Sequence, residues 1–359
     1  LPDNKKLKLA LVTTTLSDGG AERCAALLSE YFDNQNVEVH NIVFSGRIQY
    51  RYAGKLVHLI ADNQSNSSIA RFFRLKKYLA KEKFDFIIDF RTKEKLWQEA
   101  IIHRFLYKNH IQTIHSSKLE TYIPKSYFFK KLLYKKNTPL VAVCKAVENK
   151  IREQQYFNSV KTIYNPIATS VVDIPIVKDE NFILAAGSMN KNIKQFDVLI
   201  QAYSQSILPE KNIKLVIIGD GLLRPTWQKL VQEMGLQDRV VLKGFIENPM
   251  GYFKNALFTV LTSKYEGFGY VLVEALALGT PVVSYDCPFG PSEIINHQQN
   301  GLLVANQNRE ELVKALNEMI ENQELYTFCK SNAKASVEKF SLQRIGAEWI
   351  TYFDTIKNM

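Results

Sequence analysis

Cysteine is scarce in this 359-residue chain: Cys24, Cys144, Cys287 and Cys329 lie 120, 143 and 42 residues apart. That spacing makes no CxxC pair and no zinc-ligand pattern, and a chain this long needs no disulfide staples. Reduced, structural thiols in a cytosolic protein are expected. Glycine (16) and proline (11) are also few, which excludes a collagen-like or low-complexity chain. No run of about 18 apolar residues occurs, which excludes a transmembrane helix. The opening LPDNKKLKLALVTTTLSDGG sets lysines before an apolar stretch. Thr13, Thr14 and Thr15 interrupt it and no small-residue cleavage site follows, so it reads as a first strand and not a secretory signal. No internal repeat is visible. GxGxxG does not follow the first strand, which argues against a dehydrogenase.

The formal charge is +10, unevenly spread. Residues 1–167 hold 28 Lys+Arg against 15 Asp+Glu, a net +13, and residues 168–359 hold 18 against 21, a net −3. The basic half should meet an anionic partner: nucleic acid, an acidic membrane surface or a phosphorylated substrate. It carries no recognised nucleic-acid reader motif, so nucleic acid is the poorest of the three.

Strand-like and helical patterns alternate. KLALVTTT (8–15), VEVHNIVF (37–44), FDFIIDF (84–90), IQTIH (111–115) and PLVAVC (139–144) read as strands, with helices at 21–32, 71–83 and 145–154 and a basic helix between 115 and 139. The alternation restarts with strands at 181–188, 214–221, 239–245, 256–263 and 281–286. Helices are expected at 196–205, 227–235, 271–278, 310–321, 325–340 and 340–356. This order implies two doubly wound parallel sheets. The boundary is expected near Tyr164-Asn165-Pro166 and the strand-poor stretch 168–180, since proline restricts itself and its predecessor. The predicted units are 1–167, with a C-terminal helix at about 341–359 packing back on it, and 168–340. Ligands of such sheets bind outside the carboxyl ends of the strands.

The strongest chemical signal is Ser263-Lys264-Tyr265-Glu266-Gly267-Phe268-Gly269-Tyr270-Val271-Leu272-Val273-Glu274-Ala275. A strand ends, a glycine-rich turn follows and a helix begins, so unpaired N–H groups there can hold a phosphate. Glu266 and Glu274 are too far apart to act on one atom and suit the two ends of a nucleotide-sugar. Gly19-Gly20-Ala21-Glu22-Arg23 after the first strand lets backbone approach a phosphate, although an ordinary βα turn reads the same way.

With these residues quoted, the chain resembles the retaining glycosyltransferases of the GT4 family. The resemblance covers nearly the whole chain and is strongest over 256–304, where EGFGYVLVEALALGTPVVSYD carries the Glu-x7-Glu signature. It implies the α/β GT-B fold, two Rossmann-like domains facing across a cleft, the first taking the acceptor and the second the donor. It implies a retaining, metal-independent transfer of a hexose or N-acetylhexosamine from a UDP-sugar to a hydroxyl. The acceptor would be a glycan, lipid-linked, in bacterial surface-glycan synthesis. No cofactor is implied, and no Asp-x-Asp motif ends a strand, so no obligatory metal is expected.

Residue by residue, Glu266 falls at the donor sugar and transition state, Glu274 at ribose, and Gly267, Phe268, Gly269, Tyr270 and Val271 around the phosphates. Gly19 and Gly20 face the diphosphate. Gly187-Ser188 stands where the family has Gly-Arg, and Lys194 where it has its second cation. The missing arginine puts the usual clamp in doubt, and Lys191 or backbone amides would have to substitute. Gly244-Phe245-Ile246 resembles the segment that pairs with the nucleobase. His115 matches a histidine near donor sugar and acceptor, and reads equally as a packed or capping residue. Cys287-Pro288-Phe289-Gly290-Pro291-Ser292-Glu293 resembles a string in enzymes that build surface glycans on lipid carriers. Ser292 and Glu293 are expected to cap the helix after it.

Residues 122–136 combine aromatics with five lysines. They read either as a basic amphipathic helix on an anionic membrane or as a core-facing helix with a solvated basic face. The first reading makes the protein peripheral on the inner face of the cytoplasmic membrane. Two other functions fit the fold: a non-catalytic nucleotide-sugar-binding subunit, kept open by Ser188, and a UDP-sugar epimerase.

Overall fold

The computed structural model describes residues 6–17, 19–60, 67–168, 174, 177 and 181–357. The strand-poor stretch 168–180 lies for the most part outside the described residues. In chain order come β1 (Lys8–Thr13), α1 (Gly20–Asn34), β2 (Glu38–Val43), β3 (Lys55–His58), α2 (Ser68–Glu82), β4 (Phe86–Asp89) and α3 (Leu96–Phe105). Next are β5 (His110–Ile114), α4 (Tyr127–Leu133), β6 (Leu140–Ala142), α5 (Lys145–Arg152) and β7 (Val160–Thr162). Then follow β8 (Phe182–Ala186), α6 (Phe196–Ser204), β9 (Lys214–Ile218), α7 (Arg224–Glu233), β10 (Val240–Gly244), α8 (Met250–Asn255), β11 (Thr259–Leu261) and α9 (Tyr270–Ala277). The chain closes with β12 (Val282–Tyr285), α10 (Pro291–Ile294), β13 (Gly301–Val304), α11 (Arg309–Glu321), α12 (Gln323–Ser336) and α13 (Leu342–Lys357).

Two compact units result: Leu1–Ala168 with Phe340–Met359, and Thr169–Lys339. The first holds a seven-stranded parallel sheet in the order β3-β2-β1-β4-β5-β6-β7. The second holds six parallel strands in the order β10-β9-β8-β11-β12-β13. The central strands are buried almost without interruption, as β1 (KLALVT) and β8 (FILAA) illustrate. Parallel strands covered by helices on both faces need that continuous apolar character. In each unit the strand order reverses once, at β1/β4 in the first and at β8/β11 in the second.

α13 packs on α1 and carries Ile345, Trp349, Tyr352 and Phe353 into the first unit's core. Gly346 makes the contact close, since a Cβ there would stand 2.3 Å from the Tyr31 ring. A short parallel bridge between Ile167 and Ser341 ties the returning chain to the same unit.

Several expectations need correction. The helix expected over 325–340 ends at Ser336 and gives way to a 3-10 turn at Glu338–Phe340, so α13 starts at Leu342. Residues 122–136 are not one amphipathic helix. α4 spans seven residues, of which Leu133 is buried, and Tyr122, Ile123 and Tyr134 on either side of it are buried too. Tyr134 pins that segment inward by donating its hydroxyl to the Tyr122 carbonyl (2.9 Å). Ser292 and Glu293 do not cap α10; both lie inside it, and the capping position is Gly290.

Candidate active site

The second unit's site grows from the reversal between β8 and β11. After β8 the chain turns at Gly187, where a Cβ would fall 2.9 Å from Lys194 Cε, so the glycine leaves room for that lysine to lie across the turn. The 188–195 loop is stitched to the segment after β11. Lys264 N donates to Ile193 O (2.9 Å), and Thr262 Oγ1 donates to Lys194 O (2.8 Å). These bonds bring Lys194 Nζ to 2.6 Å from Glu266 Oε1. Ser263 Oγ donates to the same oxygen at 2.6 Å. Both members of the pair are largely buried, the side chains being 19% and 13% exposed, so the attraction is less screened than at a surface.

Behind Glu266 lies the Cys287–Gly290 loop. Glu266 N donates to Pro288 O (3.2 Å). Gly290, at φ 109°, comes so close that a Cβ would stand 2.1 Å from Phe268 O. The loop is thus a buttress for the Glu266–Gly269 turn. Burial pushes the Cys287 thiol up to about 12, with Glu266 adding to the rise, so the sulfur is an inert thiol. Gly269 (φ 97°) then starts α9 without a side-chain cap, and leaves the first amides of that helix uncovered by its own side chain. Phe268 is buried, Tyr270 and Val271 half-buried, and Glu274 buried on α9.

Neighbouring glycines let three loops stack. Gly187 N donates to Ile218 O (2.9 Å) and Gly219 N to Gly244 O (2.8 Å). A Cβ on Gly219 would meet Gly187 O at 1.9 Å. Ser188 and Lys191 are exposed on the first of these loops. Phe245, 60% exposed, and half-buried Ile246 follow Gly244. Arg224, which no sequence motif flagged, packs under Gly244 and donates to Leu242 O (3.1 Å).

The remaining candidates belong to the first unit. Gly19 caps α1 with an extended backbone, and the Glu22 carboxylate folds over it, 2.1 Å from where a Cβ would be. Gly20 is exposed as the first residue of α1, and Asp18 lies outside the described residues. His115 follows β5, tilted on Phe90 at 5.6 Å. Both its ring nitrogens are buried without a hydrogen-bond partner among the described residues, and burial lowers its pKa to about 3. It is therefore a neutral imidazole.

Sequence reasoning missed a buried charge network at the end of β4. Arg91 donates to both Asp89 oxygens (3.1 and 2.9 Å) and to both Glu99 oxygens (3.0 Å each). Lys93 Nζ lies 2.7 Å from Asp89 Oδ2. Burial alone would raise Asp89, but Arg91 and Lys93 hold it well below the usual carboxylate range. Asp89, Glu99 and His103 cluster as metal ligands do, yet the Lys93 ammonium already sits against both carboxylates. Lys8 does the same between Glu38 and Glu82 near His40. Neither donor set fits a metal.

Residues 18–171 match the family described as Glycosyltransferase Family 4, and residues 168–336 match Glycosyl transferases group 1. The chain belongs to the GT4-type glycosyltransferases. It is 26% identical over 365 residues to a Campylobacter jejuni enzyme, N-acetylgalactosamine-N,N'-diacetylbacillosaminyl-diphospho-undecaprenol 4-alpha-N-acetylgalactosaminyltransferase, covering 96% of this chain and 99% of that one. A second enzyme of that organism is 26% identical over 98% of this chain and 99% of its own. Its name is GalNAc-alpha-(1->4)-GalNAc-alpha-(1->3)-diNAcBac-PP-undecaprenol alpha-1,4-N-acetyl-D-galactosaminyltransferase. Among solved structures, Anabaena Alr3699/HepE in complex with UDP superposes with a TM-score of 0.77 at 20% identity, over 99% of this chain and 100% of that one. The two parallel-sheet units are those of the GT-B fold.

Proposed function

We propose that this glycosyltransferase moves a hexose or N-acetylhexosamine, with retention, from a UDP-sugar to a hydroxyl of a lipid-linked glycan in bacterial surface-glycan synthesis. The observation that carries the reading is the Lys194–Glu266 pair at the β8/β11 reversal, beside the uncapped start of α9. The two Campylobacter relatives act, by their names, on diphospho-undecaprenol-linked sugars.

In this reading the bond from the sugar's anomeric carbon to the UDP phosphate oxygen breaks, and UDP leaves with the electron pair. The acceptor oxygen bonds to the same face of that carbon, and its proton passes to the departing phosphate oxygen. Charge builds on the diphosphate, where the Lys194 ammonium and the Gly269 and Tyr270 amides can stabilise it. Glu266, fixed by Lys194 and Ser263, orients the sugar and supports positive character at the anomeric carbon. Glu274 serves the ribose, and Gly244-Phe245-Ile246 the base. Lys194 and these amides take the role of an obligatory metal, so activity persists in EDTA. Exposed Tyr127 and Phe128 of α4, with neighbouring lysines, rest the first unit on an anionic membrane.

The test is UDP release from UDP-Glc, UDP-Gal, UDP-GlcNAc and UDP-GalNAc with a membrane-extracted acceptor pool. One donor should give acceptor-dependent release that Glu266→Ala abolishes. Donor binding without release, in parent and variant alike, would favour the non-catalytic subunit that Ser188 in place of arginine keeps in view. Interconversion of UDP-sugars without acceptor would favour an epimerase.

A further inference from the structure

The first unit contains a cavity of about 410 Å³ at the carboxyl ends of β1, β2 and β4. Thr14, Phe44 and Arg91 mark those three strand ends. This is the place where the strand order of the sheet reverses, the position at which doubly wound sheets take ligands. Its volume lies within the range of small-molecule sites.

The walls are mainly hydrocarbon: Phe44 after β2, Phe72 and Leu75 from α2, and Ile102 from α3. The floor is charged but electrically satisfied. Arg91 lies 4.0 Å from the Phe44 ring centroid and spends its donors on Asp89 and Glu99. The rim carries Arg71 and Lys95, with Glu94 as an exposed acid beside them. Thr14, Ser68, Thr92 and Gln98 also line the cavity, but hydrocarbon makes up most of its surface, and a hydrocarbon chain with an anionic head matches both walls and rim.

The surface around the mouth extends this match. Ile69 is 70% exposed and Ile101 45%, both at the rim. Phe73, Trp97, Phe105 and Phe128 are also exposed, and Trp97 meets Phe128 and Phe129 edge-on at 6.1 and 5.0 Å. Side chains of three helices thus form an apolar, lysine-studded region of the kind that rests at a headgroup boundary.

We propose that this cavity is a binding site for the first isoprene units of a polyprenyl phosphate carrier, with Arg71 and Lys95 holding the phosphate. The inference rests on the lipid-linked acceptor proposed above and adds the site that would grip its tail.

The test is titration of the full-length protein with farnesyl phosphate, below its micelle concentration, by calorimetry. Dodecyl phosphate and inorganic phosphate are the comparison ligands. Farnesyl phosphate should bind at least about tenfold more tightly than either, because both chain and head are read. Arg71→Glu with Lys95→Glu, and separately Ile101→Trp, should each weaken it about tenfold or more. Far-ultraviolet circular dichroism and the urea-unfolding midpoint, each compared with the parent protein, report that the variants are folded. Equal binding of farnesyl and dodecyl phosphate would overturn the isoprenoid assignment. Binding of farnesyl phosphate no tighter than inorganic phosphate, or undiminished in both folded variants, would overturn the site. These readouts need no turnover. Failure of UDP-sugar transfer would sink the proposed reaction and leave the titration to judge the cavity, and the converse also holds.

Discussion

Lys194 Nζ and Glu266 Oε1 are 2.6 Å apart although 72 residues separate them in sequence. The pairing joins a cation expected to meet a diphosphate to a carboxylate expected to meet a sugar. Each neutralises the other's charge. Lys194→Ala and Glu266→Gln should each lower kcat by roughly 10²–10³, the loss seen when one preorganised charge-stabilising donor is removed. The double variant should lose much less than the product of the two, since the pair acts as a unit. Steady-state UDP release on the four proteins measures this.

Ser263 donates to the same Glu266 oxygen. Ser263→Ala should cost about 1 kcal/mol of stability, read by denaturant unfolding. It should reduce kcat with little change in KM for the donor, because it acts through the orientation of the Glu266 carboxylate. A KM effect alone would instead assign Ser263 to ground-state binding.

Gly290 combines φ 109° with an approach that leaves no room for a Cβ. Gly290→Ala should destabilise the protein by about 2 kcal/mol or more, from backbone strain and the clash with Phe268 O together. The midpoint of thermal unfolding reports this. Because the buttress supports the Glu266–Gly269 turn, stabilisation by UDP should shrink as well.

His115 has a folded pKa of about 3, below the ordinary histidine value of 6.5. The unfolded chain therefore binds more protons between those values. The histidine's contribution to stability is complete above pH 6.5 and is lost as the pH falls towards 3. His115→Asn should recover roughly 2 kcal/mol of the loss the parent suffers between pH 7.5 and pH 5. His110, held at about 4 by burial, titrates in the same window, so the comparison is between variant and parent. Urea midpoints across that range provide the measurement.

Much of the sheet order was legible because buried parallel strands are unbroken apolar runs, as in FDFIIDF and NFILAAGS. β3, β7, β13, α3 and α8 were not. β3 has half-exposed sides and β7 only three residues, so neither rises above its surroundings. α3 hides for a different reason. Trp97, Ile101 and Phe105, the residues that would mark a core-facing stripe, point outward. The aromatics of 122–136 misled in the opposite direction, since Tyr122 and Tyr134 are buried on either side of a helix that is too short to use them as one face.

The sequence pointed to Glu266 and to Lys194, but their pairing, with Ser263 as a third member, becomes visible only through the loop bonds that join them. No motif marks Asp89, Arg91 and Lys93 in the string DFRTKEK. Their burial depends on Glu99 from the next helix, a relation that local composition does not encode.

The first unit is discontinuous, its core closed by Ile345, Trp349, Tyr352 and Phe353 from the last helix. During synthesis the amino-terminal sheet must wait, with an open apolar flank, while the intervening 169–339 unit emerges and can fold on its own contiguous stretch. The half of the protein made first is thereby the half completed last, and its aggregation risk on the ribosome ends only when α13 docks.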